Sequence, residues 1–165
     1  MVSVLYLQKN NALYGVDEIV LQNNASTRDM AGIIKRKYPR CNFTIYPDGS
    51  ARNESTSNAG DSDLKQLQRV FGESNVVCRY NPLVEDRYSI ANYALKDGRV
   101  FYLPVCKYTK RDFQKVVRDA AGRINKRELE KNQLTHASDA ATYPIYHIYK
   151  NVYADLLRDD LYATA

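Results

Sequence analysis

Hydrophobic and polar positions along the chain fall into short runs with two alternating periods. "VSVLYLQ" (Val2 to Gln8) and "LYGVDEIVLQ" (Leu13 to Gln22) are rich in β-branched and aromatic residues and read as strands. Lys9-Asn10-Asn11 between them is a turn signal, so the two runs are expected to pair as an antiparallel hairpin. Met30, Ile33, Ile34 and Tyr38 then recur at helical spacing in "TRDMAGIIKRKY", with Ser26 or Thr27 as N-cap and Pro39 as the stop. Asn42 to Tyr46 reads as a third strand. Leu64, Leu67, Val70 and Phe71 mark a second helix, capped by Asp61 or Ser62 and ended by Gly72. "NVVCRY" (Asn75 to Tyr80) reads as a strand, and "PLVEDRYSIANYAL" as a helix opened by Pro82 and closed at Asp97-Gly98. Val100 to Val105 predicts a strand, and Tyr108 to Val117 a helix. Gly122 to Gln133 is polar and charged, either a loop or a solvated helix. "THASDAATYPIYHIYKNVYADLL" is a mostly apolar helix with Thr135, His136, Ser138 and Asp139 at its N-terminal end. Asp159 to Ala165 is expected to fray.

Strands and helices alternate after an opening hairpin. That order predicts an α/β fold with a mixed sheet flanked by helices on both faces. With 165 residues the chain is expected to form one domain, with no internal repeat or flexible linker. Lys and Arg number 24 against 19 for Asp and Glu, a net charge of +5. This modest excess suits an anionic polymer but equally serves solubility. Cys41, Cys78 and Cys106 are widely spaced, odd in number and set beside apolar runs, without metal-ligand spacing. They read as reduced core thiols of a cytosolic protein. No signal peptide is evident, and no apolar run approaches the length of a membrane span.

The stretch "FTIYPDGSARNESTSNAGDSDLKQ" raises the chemical question. An apolar run ends on Asp48, and a hydroxyl-rich loop follows. In α/β sheets functional groups gather at the carboxyl ends of strands, where Asp48 is expected. Pro-Asp-Gly is also an ordinary turn signal. Asp139 stands in the first turn of the last helix with His136 three residues earlier, on one helix face. Two aspartates and a histidine are suitable ligands for Mg²⁺ or Mn²⁺, and two such ions ~4 Å apart stabilise attacking and leaving oxygens in phosphodiester cleavage. Asp139 equally complements a helix dipole, and His136 equally suits a solvated surface. Arg52, Arg87 and Lys126 are candidate phosphate contacts, though isolated basic residues are weak signals. Asp17-Glu18 reads first as solvated charge, His147 as structural, and Asp61, Asp63 and Asp86 as helix-cap or first-turn acids.

Three segments in this order and spacing carry a resemblance: "YPDGSARNESTSNAGDSDLKQLQ", "NPLVEDRYSIANYALKDGRVFYLPVCKYTKRDFQKV" and "LTHASDAATYPIY". Together they resemble the C-terminal nuclease domain of the large terminase subunit of tailed bacteriophages, over nearly the whole chain. "DEIVLQNNASTRDMAGIIKRKYP" is similar to the hairpin strand and helix of that family. The resemblance implies an RNase H-like fold and a metal-dependent endonuclease. Such an enzyme cuts concatemeric double-stranded DNA during genome packaging with two Mg²⁺ or Mn²⁺ ions. Carried over by position, Asp48 and Asp139 are metal ligands, and His136 assists at the second ion or orients the water. Implied partners are duplex DNA, the phage portal and the small terminase subunit, in the bacterial host cytoplasm and without a membrane.

Two departures stand beside the resemblance. The family's first strand, with its own aspartate, lies in mid-sheet and precedes the segment matching "MVSVLYLQKN". It is not represented here, nor is the ATPase domain with GxxxxGK[ST]. A missing central strand exposes a sheet edge, so a homo-oligomer or domain-swapped assembly is expected. It also leaves open a non-catalytic module that docks DNA or the portal, or another RNase H-like nuclease such as a resolvase.

Overall fold

The computed structural model describes residues 1–22, 25–53, 61–116, 124 and 135–154. It is a mixed α/β structure in which the described residues form two compact units. One comprises Met1 and Ile19–Asn81; the other comprises Val2–Glu18 and the residues from Pro82 onward.

The second unit holds a three-stranded sheet in the order β1-β2-β3. Strand β1 is Val2–Lys9, β2 is Ala12–Val20, continuing at its end into the first unit, and β3 is Val100–Tyr102. The expected hairpin forms. Asn10 and Asn11 both adopt positive φ, 51° and 58°, as a two-residue turn between antiparallel strands requires. Alternation is clear along β2: Leu13, Gly15, Asp17 and Ile19 are buried, while Tyr14, Val16, Glu18 and Val20 are half-buried. β3 runs parallel to β2 with Leu13 opposite Val100 and Gly15 opposite Tyr102. The predicted strand extended to Val105. Leu103 still donates to the Gly15 carbonyl at 2.9 Å, but the chain then turns, and the Leu103 carbonyl accepts from Cys106 N–H at 3.0 Å instead of from β2.

Helix α3 (Val84–Lys96) ends at Asp97, and Gly98 follows at φ 64°, as the Asp-Gly signal predicts. Helix α4 is Lys107–Lys115, and the final described helix, numbered α5 here, is His136–Tyr149. The core joins Leu13 and Val100 from the sheet, Ile90, Ala91 and Ala94 from α3, and Ile145 and Tyr149 from α5 with Tyr153 beyond it. Asp17-Glu18 is not the solvated pair that the sequence suggests. Asp17 is 3% exposed. Glu18 accepts from the backbone N–H groups of Tyr108 (2.7 Å) and Thr109 (2.9 Å), and so caps α4.

The first unit packs helix α1 (Thr27–Lys37) against helix α2 (Asp63–Phe71). Ser26 and Asp29 form a capping box at α1, and Ser62 caps α2. Met30, Ala31, Ile34, Phe71 and Val76 are buried. Of the strands predicted over Asn42–Tyr46 and Asn75–Tyr80, a single parallel bridge forms, Ile45 to Val76. Ile45 donates to the Asn75 carbonyl (2.7 Å) and Val77 donates to Ile45 (2.8 Å). The next donor along the ladder would be Pro47, which has no N–H. On the other side the Asn75 N–H is already used, donating to Gly72 across a 3₁₀ turn. Cys41 is exposed, so it is not the core thiol that the sequence predicts, whereas Cys106 is buried. The segment predicted as loop or solvated helix, save Ile124, and the predicted tail lie outside the described residues.

Candidate functional site

The start of α5 carries two of the candidate residues. His136 is the exposed first residue of the helix, and Asp139 lies in its first turn. Thr135, at the N-cap position, has φ 82° and makes no side-chain cap. Its Oγ1 is buried with no hydrogen-bond partner among the described residues. The cap comes instead from α4. Asp112, 0% exposed, accepts from the N–H groups of Ala137 (3.0 Å) and Ser138 (3.3 Å) through Oδ2. Its Oδ1 accepts from Arg111 at 2.8 Å. A buried carboxylate therefore satisfies the helix end that Thr135 leaves open.

Asp139 is held from α3. Arg87 is 2% exposed, and one of its guanidinium nitrogens lies 3.4 Å from Asp139 Oδ1. The other donates to Thr142 Oγ1 at 2.8 Å, and Thr142 Oγ1 in turn donates to the Asp139 carbonyl at 3.0 Å. The guanidinium also lies over the Tyr143 ring, 4.3 Å from its centroid. Arg87, a candidate phosphate contact in the sequence, is buried with protein groups as its observed partners, the carboxylate of Asp139 among them. Beside it the Tyr88 hydroxyl and Ser138 Oγ share a 2.6 Å hydrogen bond. Burial, reinforced by the Asp139 charge, pushes the Tyr88 phenol well above its ordinary pKa, so it stays a neutral hydrogen-bonding group.

Asp48 belongs to the first unit, where it caps the 3₁₀ turn Gly49–Arg52 through a 2.7 Å bond from the Ser50 N–H. Asn81 clasps the same turn twice. Its Oδ1 accepts from Gly49 N–H at 2.6 Å, and its Nδ2 donates to Asp48 Oδ1 at 3.1 Å. Gly49 is needed for this approach: a Cβ there would lie 2.8 Å from Asn81 Oδ1 and 2.9 Å from the Arg79 carbonyl. Arg52, exposed, donates to the Cys78 carbonyl and lies over the Tyr80 ring.

Asp48 and Arg52 thus share one turn of the first unit, while Asp139 and Arg87 meet in the second, with His136 three residues earlier on the helix of Asp139. Lys126 lies outside the described residues. Asp48 is exposed and the Asp139 side chain is 22% exposed, so oxygen donors that suit Mg²⁺ or Mn²⁺ face solvent at both places. Among the described residues no group of three or more His, Cys, Asp or Glu side chains is arranged to hold a metal ion. No helix among them is long and apolar enough to cross a membrane. Comparison with known protein families, characterised proteins and solved structures finds no match.

Three residues escaped the sequence reading: Asn81, Asp112 and, in its observed role, Arg87. The only signal for Asn81 was its place before Pro82, where an extended residue is expected. Asp112 stands among Lys110, Arg111 and Lys115 and looks solvated in sequence.

Proposed function

We propose that the chain is an RNase H-like nuclease domain of the terminase type, which cuts concatemeric double-stranded DNA during phage genome packaging in the host cytoplasm. Its partners in this reading are duplex DNA, the portal and the small terminase subunit. The reading rests on the resemblance, and one observation within the second unit supports it most. Arg87, from "NPLVEDRYSIANYAL", orients Asp139, from "LTHASDA". Two segments that carry the resemblance meet at a carboxylate that the resemblance makes a metal ligand.

In this reading Asp48 and Asp139 each offer a carboxylate oxygen to Mg²⁺ or Mn²⁺. When bound, the ions supply Lewis acidity toward an attacking water and the phosphodiester oxygens. Arg87 fixes the rotamer of Asp139 through its buried fork, and Asn81 does the same for Asp48. His136, exposed at the start of α5, would assist at the second ion or orient the water. Arg52 supplies positive charge beside Asp48 for the DNA backbone.

A second reading keeps the fold and the basic surface but has the chain dock DNA or the portal without cutting it. Calorimetry with Mn²⁺ separates the two. The nuclease reading predicts saturable binding that is weakened in both Asp48→Asn and Asp139→Asn. Binding that is absent, or unchanged in both variants, would give the docking reading the better claim.

A further inference from the structure

Tyr80 is 88% exposed, the most open of the large hydrophobic side chains of the described residues. A tyrosine ring in water is usually covered on at least one side, because its apolar faces gain from burial. Here the cover is Arg52, whose guanidinium centre lies 5.1 Å from the ring centroid. Arg52 is itself anchored by donating to the Cys78 carbonyl, two residues before the ring. On the other side of Tyr80, Asn81 holds the Asp48–Gly49 turn by two hydrogen bonds. The ring therefore projects from a braced segment and does not swing on a free loop.

The surroundings narrow the partner. Arg52 lies against the ring, and the chain neighbours of Tyr80 are Arg79 and Asn81, all polar or charged. A protein partner or a second copy would call for a contiguous apolar patch around the ring, which these residues do not make. A single open aromatic face with the exposed Arg52 guanidinium against it matches the stacking platforms of single-strand-binding surfaces. There each base lies on a ring, and nearby cations track the phosphates. Duplex DNA keeps its base faces stacked inward and offers the ring only edges and backbone.

We propose that Tyr80, backed by Arg52, is a stacking platform for an unpaired nucleobase of single-stranded DNA. The stacking face itself is built from Tyr80 and Arg52 and needs no bound metal ion.

The chain contains no tryptophan, so Tyr80→Trp introduces a single indole reporter at an exposed position. It is titrated, with chelator present, against a single-stranded oligodeoxynucleotide and against its duplex. The expected result is saturable quenching by the single strand at concentrations where the duplex leaves the emission unchanged. In parallel anisotropy measurements Tyr80→Ala weakens single-strand binding about 5- to 150-fold, the range for losing one base–aromatic stack, while Tyr80→Phe binds as the parent does. Absence of quenching, equal quenching by duplex, or equal affinity of Tyr80→Ala and parent would overturn the proposal. So would an RNA strand that quenches where the DNA does not, or an emission shift that grows with protein concentration alone. No divalent ion is present, so these results leave the cleavage reading untouched, and a failure of cleavage leaves them untouched in turn.

Discussion

Removing the carboxylate of Asp112 is expected to loosen the start of α5. In Asp112→Ala the N–H groups of Ala137 and Ser138 lose their acceptor, and both lie in a buried setting. Thr135 cannot replace it, since its side chain makes no cap bond. Hydrogen bonds to charged acceptors contribute about 1.5–3 kcal/mol each, and loss of a helix N-cap costs about 0.5–2 kcal/mol. The Ser138 bond is long at 3.3 Å and counts for less than the 3.0 Å bond to Ala137. Arg111 is 35% exposed and rehydrates when its partner goes, and the variant is spared the burial of a charge. Together these terms give a loss of about 2–4 kcal/mol. Asp112→Asn retains an oxygen acceptor and is expected to lose roughly half as much. Urea denaturation measures both; with a slope of about 2 kcal/mol/M, the Asp112→Ala midpoint falls by roughly 1–2 M. A midpoint within 0.2 M of the parent would refute the view that Asp112 closes this helix end.

Four further outcomes are expected. Gly15→Ala should destabilise by about 1–3 kcal/mol in thermal melts, because the new Cβ would lie 2.4 Å from Tyr102 Cδ1; an unchanged melting temperature would contradict that packing. Thr135→Gly should be neutral or stabilising by up to about 1 kcal/mol, since it relieves a β-branched residue at φ 82°; a loss of more than that would mean the threonine side chain is needed. Burial, with Glu18 and Asp17 adding to it, pushes the Cys106 thiol up to about 11. Maleimide at pH 8 should therefore label exposed Cys41 first and Cys106 last. The folded thiol titrates above the ordinary 9.0, so its contribution to stability is complete below that pH and is lost as pH rises toward about 11. A stability that rises over this window would reverse the assignment.

The features that were legible in the sequence depend on neighbours. The hairpin follows from two strand-like runs around Asn10-Asn11. The start of α1 follows from Ser26 and Asp29, three residues apart. Gly72 and Asp97-Gly98 end their helices where the pattern says they should. The features that were not legible depend on distant partners. Asp112 reaches Ala137 across 25 residues, Asn81 reaches Asp48 across 33, and Arg87 reaches Asp139 across 52. Charge in a sequence carries no sign of burial, so Arg87 resembled a phosphate contact and Glu18 a solvated acid. The strands predicted around Ile45 and Val76 shrank to one bridge for a reason that was present in the sequence. Pro47 stands where the next ladder donor would be, a constraint visible only once the register is fixed.

The central claim is a metal-dependent nuclease that works through Asp48 and Asp139. Its most direct test is cleavage of supercoiled plasmid by the chain with Mn²⁺, beside Asp48→Asn and Asp139→Asn. The account predicts nicked and linear products from the parent chain, none when the metal is chelated, and rates at least about 100-fold lower in each variant, a loss of roughly 2.7 kcal/mol in transition-state stabilisation. Parent-level cleavage by either variant, or no cleavage by the parent chain, would contradict it.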